Sequence, residues 1–144
     1  MPNYNKYFKK ILKETAAMST CARVQVGCII VRDGRIISTG WNGVPPGKEH
    51  CNNRYVFGNL EYESHHVWST KNEIHAETNA IGYATQNGVS TKKAAIWTSV
   101  FPCIDCAKLI VAAGIEQVYY ISEYDREDDG WKFLTRNNIY KEKI

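Results

Sequence analysis

The chain has 144 residues, 44% of them hydrophobic and 23% charged, which is enough sequence to bury a core without disulfide staples. A net charge of +3 argues against a strong nucleic-acid or membrane field. The opening run MPNYNKYFKKILKE has no apolar stretch long enough for a signal peptide or a membrane span, so the expectation is one soluble intracellular domain over 1–144.

Residues 3–19 carry Tyr4, Phe8, Ile11, Leu12 and Ala16 at helical spacing with lysines on the other face. Residues 24–31 (VQVGCIIV) and 35–41 (RIISTGW) are β-rich runs around Arg32-Asp33-Gly34, and Asp-Gly between such runs signals a hairpin. Residues 42–73 are rich in glycine, proline, asparagine and charge, with little periodicity. They read as a loop of about thirty residues, a length that usually serves a function or is held by something. Residues 75–87 read as a helix stopped by Gly88, and residues 94–100 (AAIWTSV) as a buried strand. Pro102 opens a second helix that runs through AKLIVAA to Gly114. Residues 117–122 form another strand, followed by a short helix near 127–136 and a weak last strand. Strands alternating with helices predict an α/β fold, a sheet with helices on its faces.

The five cysteines are Cys21, Cys28, Cys51, Cys103 and Cys106. An odd number in an intracellular chain points to metal binding or burial rather than to disulfides. Cys28, inside the apolar run Val26–Val31, reads as a small buried hydrophobe. His75-Ala76-Glu77 and Pro102-Cys103-Ile104-Asp105-Cys106 each open a helix. Cysteines three apart share a helix face. Two thiolates and one imidazole leave the fourth position of a tetrahedral ion open, the pattern of a catalytic zinc rather than a closed structural one. Such an ion lowers the pKa of a bound water to ~7, and Glu77 beside it can take a proton and pass it on. That requires His75 at the very start of its helix, because residues i and i+2 do not face each other in mid-helix. The alternative, a plain zinc knuckle, needs a fourth protein ligand and gives Glu77 no role.

His-x-Glu combined with Pro-Cys-x-x-Cys is the signature of zinc deaminases. From about Cys21 to Tyr124 the chain resembles the cytidine deaminase-like superfamily, and within it the deoxycytidylate (dCMP) deaminase family, including short phage-type forms. The narrower resemblance rests on Gln25-Val26-Gly27-Cys28-Ile29-Ile30-Val31, on the loop Gly40-Trp41-Asn42-Gly43-Val44-Pro45-Pro46-Gly47 and on Phe101-Pro102-Cys103-Ile104-Asp105-Cys106-Ala107-Lys108-Leu109-Ile110. It implies a three-layer α/β/α fold with a central mixed sheet of about five strands. It also implies hydrolysis of dCMP to dUMP and ammonia for thymidylate synthesis, with Glu77 protonating N3 and then the leaving amine. A homo-hexamer, activation by dCTP with Mg²⁺, inhibition by dTTP and a cytoplasmic setting in a bacterium or virus-infected cell come with the resemblance. No membrane or nucleic-acid partner is expected.

The same resemblance suggests substrate contacts. Asn42 reads as a contact to sugar or ring, or else as a turn residue before Gly43. Arg23 and Tyr124 are candidates for the phosphate, which needs cationic or hydroxyl donors. Ala76, Ser99 and Phe101 are candidates for the base pocket, and Trp41, Gly43 and Lys48 for an effector loop. Some phage members of the family are thought to hold a second, structural zinc, and the matching positions are Cys21, Cys51, His65 and Glu73, with His66 competing for the histidine place. Such an ion would order a loop that has few apolar residues. Two rival functions remain. A nucleic-acid editing deaminase would favour a basic groove lined with aromatics. A non-catalytic zinc module that binds nucleotide would have no use for Glu77.

Overall fold

The computed structural model describes residues 2–144. In chain order its elements are α1 Tyr4–Ala16, β1 Gly27–Arg32, β2 Arg35–Trp41, α2 Cys51–Arg54, α3 Tyr62–Asn72, α4 Ala76–Gln86, β3 Ala95–Val100, α5 Ile104–Ala112, β4 Gln117–Ser122, α6 Asp129–Arg136 and β5 Tyr140–Lys143. The side chain of Asn3 accepts from Lys6 N at 3.0 Å and so caps α1. Asp33 and Gly34 turn the β1–β2 hairpin at φ 52° and 71°, the pair of left-handed residues that a two-residue hairpin needs.

The five strands lie in the order β2-β1-β3-β4-β5. β1 is antiparallel to β2 and β3, whereas β3, β4 and β5 run parallel. Alternate residues point to opposite faces. Cys28, Ile30, Ile96, Val118 and Tyr120 join Ala80 and Ile81 of α4, Ile110 of α5 and Leu134 of α6 in one core layer. Ile29, Val31 and Trp97 meet Phe8 and Leu12 of α1 on the other face. Each large apolar side chain buried there contributes about 1.5–3 kcal/mol. The architecture is therefore the expected α/β/α sandwich around a mixed sheet of five strands.

Two expectations change. Residues 42–73 are not one loop, because α2 and α3 lie within them. α3 buries only His65 of its own residues, and its Trp68 packs on a satellite cluster of Cys21, Ala22, Cys51 and Tyr55 instead of the main core. Hence it has no apolar stripe for periodicity to find. Its start was nonetheless encoded, since Glu61 accepts from Glu63 N and Ser64 N. The first strand also begins at Gly27 rather than residue 24. Asn42 is the reason: its Oδ1 accepts from Val26 N at 2.8 Å and its Nδ2 donates to Val24 O at 2.9 Å. That amide holds residues 24–26 outside the sheet ladder.

Strand β2 lies close against α4. A Cβ on Gly40 would stand 2.5 Å from both Ala76 O and Ala80 N. This contact fixes the first turn of α4, where the functional residues sit.

Candidate active site

His75 is the N-cap of α4, with φ −64° and ψ 151°, and Cys103 is the N-cap of α5, with φ −66° and ψ 172°. Both residues are extended, so their side chains leave the helix axis before the regular spiral begins. This is how His75 and Glu77 come to serve one site although they are two residues apart. His75 Nδ1 lies 3.5 Å from Cys103 Sγ and 3.4 Å from Cys106 Sγ. Zn–S bonds near 2.3 Å and Zn–N bonds near 2.0 Å at a tetrahedral angle put S and N about 3.5 Å apart. The donor set fits zinc in chemistry and in spacing. Cys106 is buried, Cys103 half-buried and His75 exposed, so the site opens on the histidine side.

A hydrogen bond from Cys106 pulls Cys103 down to about 4, and the same bond, with burial, pushes Cys106 up. Its hydrogen bond with Cys103 raises His75. A divalent cation held by His75, Cys103 and Cys106 would keep both sulfurs as thiolates.

Glu77 is buried, at 5% exposure, in the first turn of α4. Burial raises its pKa above the usual carboxylate range. Thr98 Oγ1 lies 3.3 Å from Glu77 Oε1 and 2.8 Å from Val100 O. A hydroxyl has one proton, and the carbonyl at the shorter distance can only accept. The Glu77 contact is therefore best made when Glu77 itself carries the proton. The N–H groups of Ala76, Glu77 and Thr78 have no intrahelical acceptor, and they put positive potential beside the site. The segment before His75 is held firmly. Gly43 and Ile74 exchange backbone hydrogen bonds of 3.1 and 2.8 Å, and Asn79 Nδ2 donates to Trp41 O and Ile74 O.

The other candidates are distributed as follows. The Arg23 guanidinium stacks over the Tyr62 ring at 5.0 Å. Tyr124 is raised by burial, then by Cys103, while Arg23 acts in the opposite sense, so Tyr124 lies within the field of both. Asn42 has one acceptor and one donor committed to the backbone before β1. Ser99 Oγ accepts from Gly27 N at 3.0 Å. Phe101 is buried against Tyr120 and Trp131, and Ala76 is fully buried. Trp41 is 37% exposed, Gly43 is bridged to Ile74, and Lys48 lies exposed in a turn closed by its N–H to Pro45 O.

A second set of donors converges at α3. Cys21 Sγ is 3.7 Å from His65 Nε2 and 3.6 Å from Glu73 Oε1, and His65 Nε2 is 3.5 Å from Glu73 Oε1. Cys51 completes the group, all of whose ligand atoms lie within 4.8 Å of one another. Glu73 Oε2 and His65 Nδ1 are buried without hydrogen-bond partners. Orphaned buried polar atoms beside two thiols suit a bound cation. His66 is exposed and lies outside the group.

The sequence reading did not pick out Thr98, Asn79, Tyr62 or Glu127. Thr98 follows the inward register of Ile96, a polar residue at a core position, which is a signal in itself.

Comparison with known proteins agrees with this geometry. The family described as the cytidine and deoxycytidylate deaminase zinc-binding region matches residues 1–122. The deoxycytidylate deaminase of enterobacteria phage T2 is 36% identical over 83% of this chain and 80% of its own length. ComE operon protein 2 of Bacillus subtilis is 41% identical over 99% of this chain and 71% of its own. The dCMP deaminase of cyanophage S-TIM5, solved in complex with dCMP and dUMP, superposes with a TM-score of 0.85 at 31% identity over 100% of this chain and 98% of that one. Matched over residues 1–122, most of its length, the chain belongs to the cytidine and deoxycytidylate deaminase zinc-binding family.

Proposed function

We propose that this protein hydrolyses dCMP to dUMP and ammonia. The observation that carries the reading is a buried carboxylate, Glu77, beside a His75–Cys103–Cys106 triad that leaves a fourth metal position open. The likeness over the full chain to a phage enzyme solved with dCMP and dUMP supports the choice of substrate.

Zinc at the triad supplies a Lewis acid that makes water nucleophilic at neutral pH. The protein does the rest. Glu77 accepts one proton of the attacking water and delivers it to N3 of cytosine; it then takes the remaining proton from the hydroxyl at C4, as the carbonyl forms, and hands it to the amine as the C4–N bond breaks. Its proton affinity, raised by burial, helps it take a proton as well as give one up. Thr98 orients the protonated acid. First-turn N–H groups of α4, beginning with Ala76, face the carbonyl edge of the base. Arg23 and Tyr124 take the phosphate, a bidentate guanidinium partner being well suited to it. Ser99 and Phe101 shape the wall behind the base.

The reading extends to Cys21, Cys51, His65 and Glu73 as a closed structural zinc site. Four protein donors fill a tetrahedron and leave no place for substrate. Regulation by dCTP with Mg²⁺ and by dTTP, within a homo-hexamer, belongs to the same reading, with the Trp41–Lys48 segment as the effector loop. A cytoplasmic place in a bacterium or virus-infected cell belongs to the same reading; no helix among the described residues is long and apolar enough to cross a membrane.

A substrate panel tests the proposal. Turnover of dCMP far above that of deoxycytidine, dCTP, single-stranded DNA and tRNA is expected. Preference for a polynucleotide would replace the mononucleotide reading with the editing one.

A further inference from the structure

The C-terminal part of the chain closes tightly on the backbone at one of the three donors, Cys103. A Cβ built on Gly130 would stand 2.5 Å from Pro102 O, 3.2 Å from Cys103 C and 3.3 Å from Cys103 O. No side chain fits there, because the obstacle is backbone. One residue later, Trp131 packs its ring 5.3 Å from that of Phe101. On the other side, Glu127 Oε1 accepts from Ile104 N at 3.3 Å, and Glu127 Oε2 accepts from Asp129 N. Glu127 thus serves an N–H that α5 leaves free, and the same carboxylate ties the start of α6 to that point. Three successive contacts therefore bracket Phe101, Pro102, Cys103 and Ile104. Residues 127–131 lie beyond the family match, which ends at 122.

We propose that Glu127, Gly130 and Trp131 form a clamp that holds the Phe101–Ile104 turn, and with it the Cys103 ligand, in its metal-binding geometry. Gly130 and Glu127 are positioning residues, since neither reaches the metal or the substrate. Cys103 is an N-cap with an extended backbone, so its Sγ direction depends on the ψ of a residue outside the helix hydrogen-bond ladder. A displaced backbone at Pro102–Cys103 turns Sγ away from His75 and Cys106. Groups that orient a ligand without touching the metal commonly set affinity by about 10–100-fold. The C-terminal segment is thereby part of the metal site's construction rather than an appendage to the sheet. The inference rests on the zinc reading of His75, Cys103 and Cys106.

The test is zinc affinity, measured by chelator competition on the full chain, with cobalt(II) substitution reporting thiolate ligation through its charge-transfer band. His75→Ala identifies the zinc that belongs to this site. If it loses no zinc, the zinc reading fails, whatever the clamp does. For that zinc, G130A is expected to raise the dissociation constant by about tenfold or more and to weaken the cobalt–thiolate band. E127A should raise it roughly two- to tenfold, the worth of one hydrogen bond, while E127Q, which keeps an acceptor oxygen for only one of the two N–H groups, falls between E127A and wild type. Leu134, fully buried on the same helix, is the control. L134A lowers the melting temperature without changing zinc affinity. Wild-type affinity in both G130A and E127A, or an equal loss in L134A, overturns the clamp. Where G130A does not fold, E127A and E127Q decide.

Discussion

Replacing Glu77 with Gln separates proton transfer from everything else the site does. The side chain is buried, nearly isosteric with the replacement, and not one of the three metal donors. Zinc should therefore stay. One positioned acid or base contributes about 10²–10⁴ in rate, and here the same carboxyl removes two protons in turn and delivers two. A fall in kcat of roughly 10⁴ or more is expected. Stability should move the other way. Burial lifts the folded-state pKa of Glu77 above its unfolded value. The stability tied to its protonation is complete below the unfolded pKa, about 4.3 for glutamate, and is lost as pH rises through the folded value. At neutral pH the metal-free wild type carries that loss and Glu77→Gln does not. The metal-free variant should melt at or above the wild type at neutral pH, with a smaller decline in stability from acid to neutral. Product chromatography, metal analysis and thermal melts read the three effects. Turnover within tenfold of wild type would refute the proton-shuttle role, and loss of zinc would make the carboxylate a ligand instead.

Other predictions follow from single contacts. Arg23→Ala should raise KM for dCMP by about tenfold to a hundredfold, the worth of a charge-assisted hydrogen bond, and leave deoxycytidine kinetics unchanged; equal effects on both substrates would remove Arg23 from the phosphate. Thr98→Val should lower kcat by about three- to tenfold, one net hydrogen bond, with KM and zinc content unaltered; an unchanged kcat would leave Thr98 a packing residue only. At the α3 site, burial raises Cys21 and brings Cys51 to about 12, so both are thiols at neutral pH, while burial lowers His65 and keeps it neutral. Metal binding there should release about two protons and tighten as pH rises. Calorimetry in buffers of different ionisation enthalpy counts those protons, and proton-neutral binding or one zinc per chain would remove the second site.

Much of this was legible because the chemistry is concentrated in short motifs. His75, Glu77, Cys103 and Cys106 sit within two helix starts, and the elements around them carry plain signals, from the apolar run Cys28–Val31 to the Pro102 start and Gly114 stop of α5. The donor set at Cys21, Cys51, His65 and Glu73 also converges as the family resemblance implied. Less visible was α3. Its Trp68 packs on a cluster of cysteines and Tyr55 in place of an apolar stripe, so a hydrophobic period does not describe the helix. Asn42 has a structural task that was also hard to see. Its position after β2 suits a ligand contact, yet its amide is engaged by the backbone of Val24 and Val26, a pairing created by the sheet. Thr98, Glu127 and Gly130 act through contacts 21 to 28 residues away along the chain, which no local pattern records.

The central claim is zinc-dependent release of ammonia from dCMP at His75, Cys103 and Cys106. The most direct measurement strips the protein of metal, adds back zinc stepwise, and counts dUMP and ammonia. The account predicts no product from the stripped protein, restoration with zinc, equal amounts of dUMP and ammonia, and no restoration in His75→Ala. Full activity without metal, or dCMP left intact by the zinc-loaded protein, would contradict it.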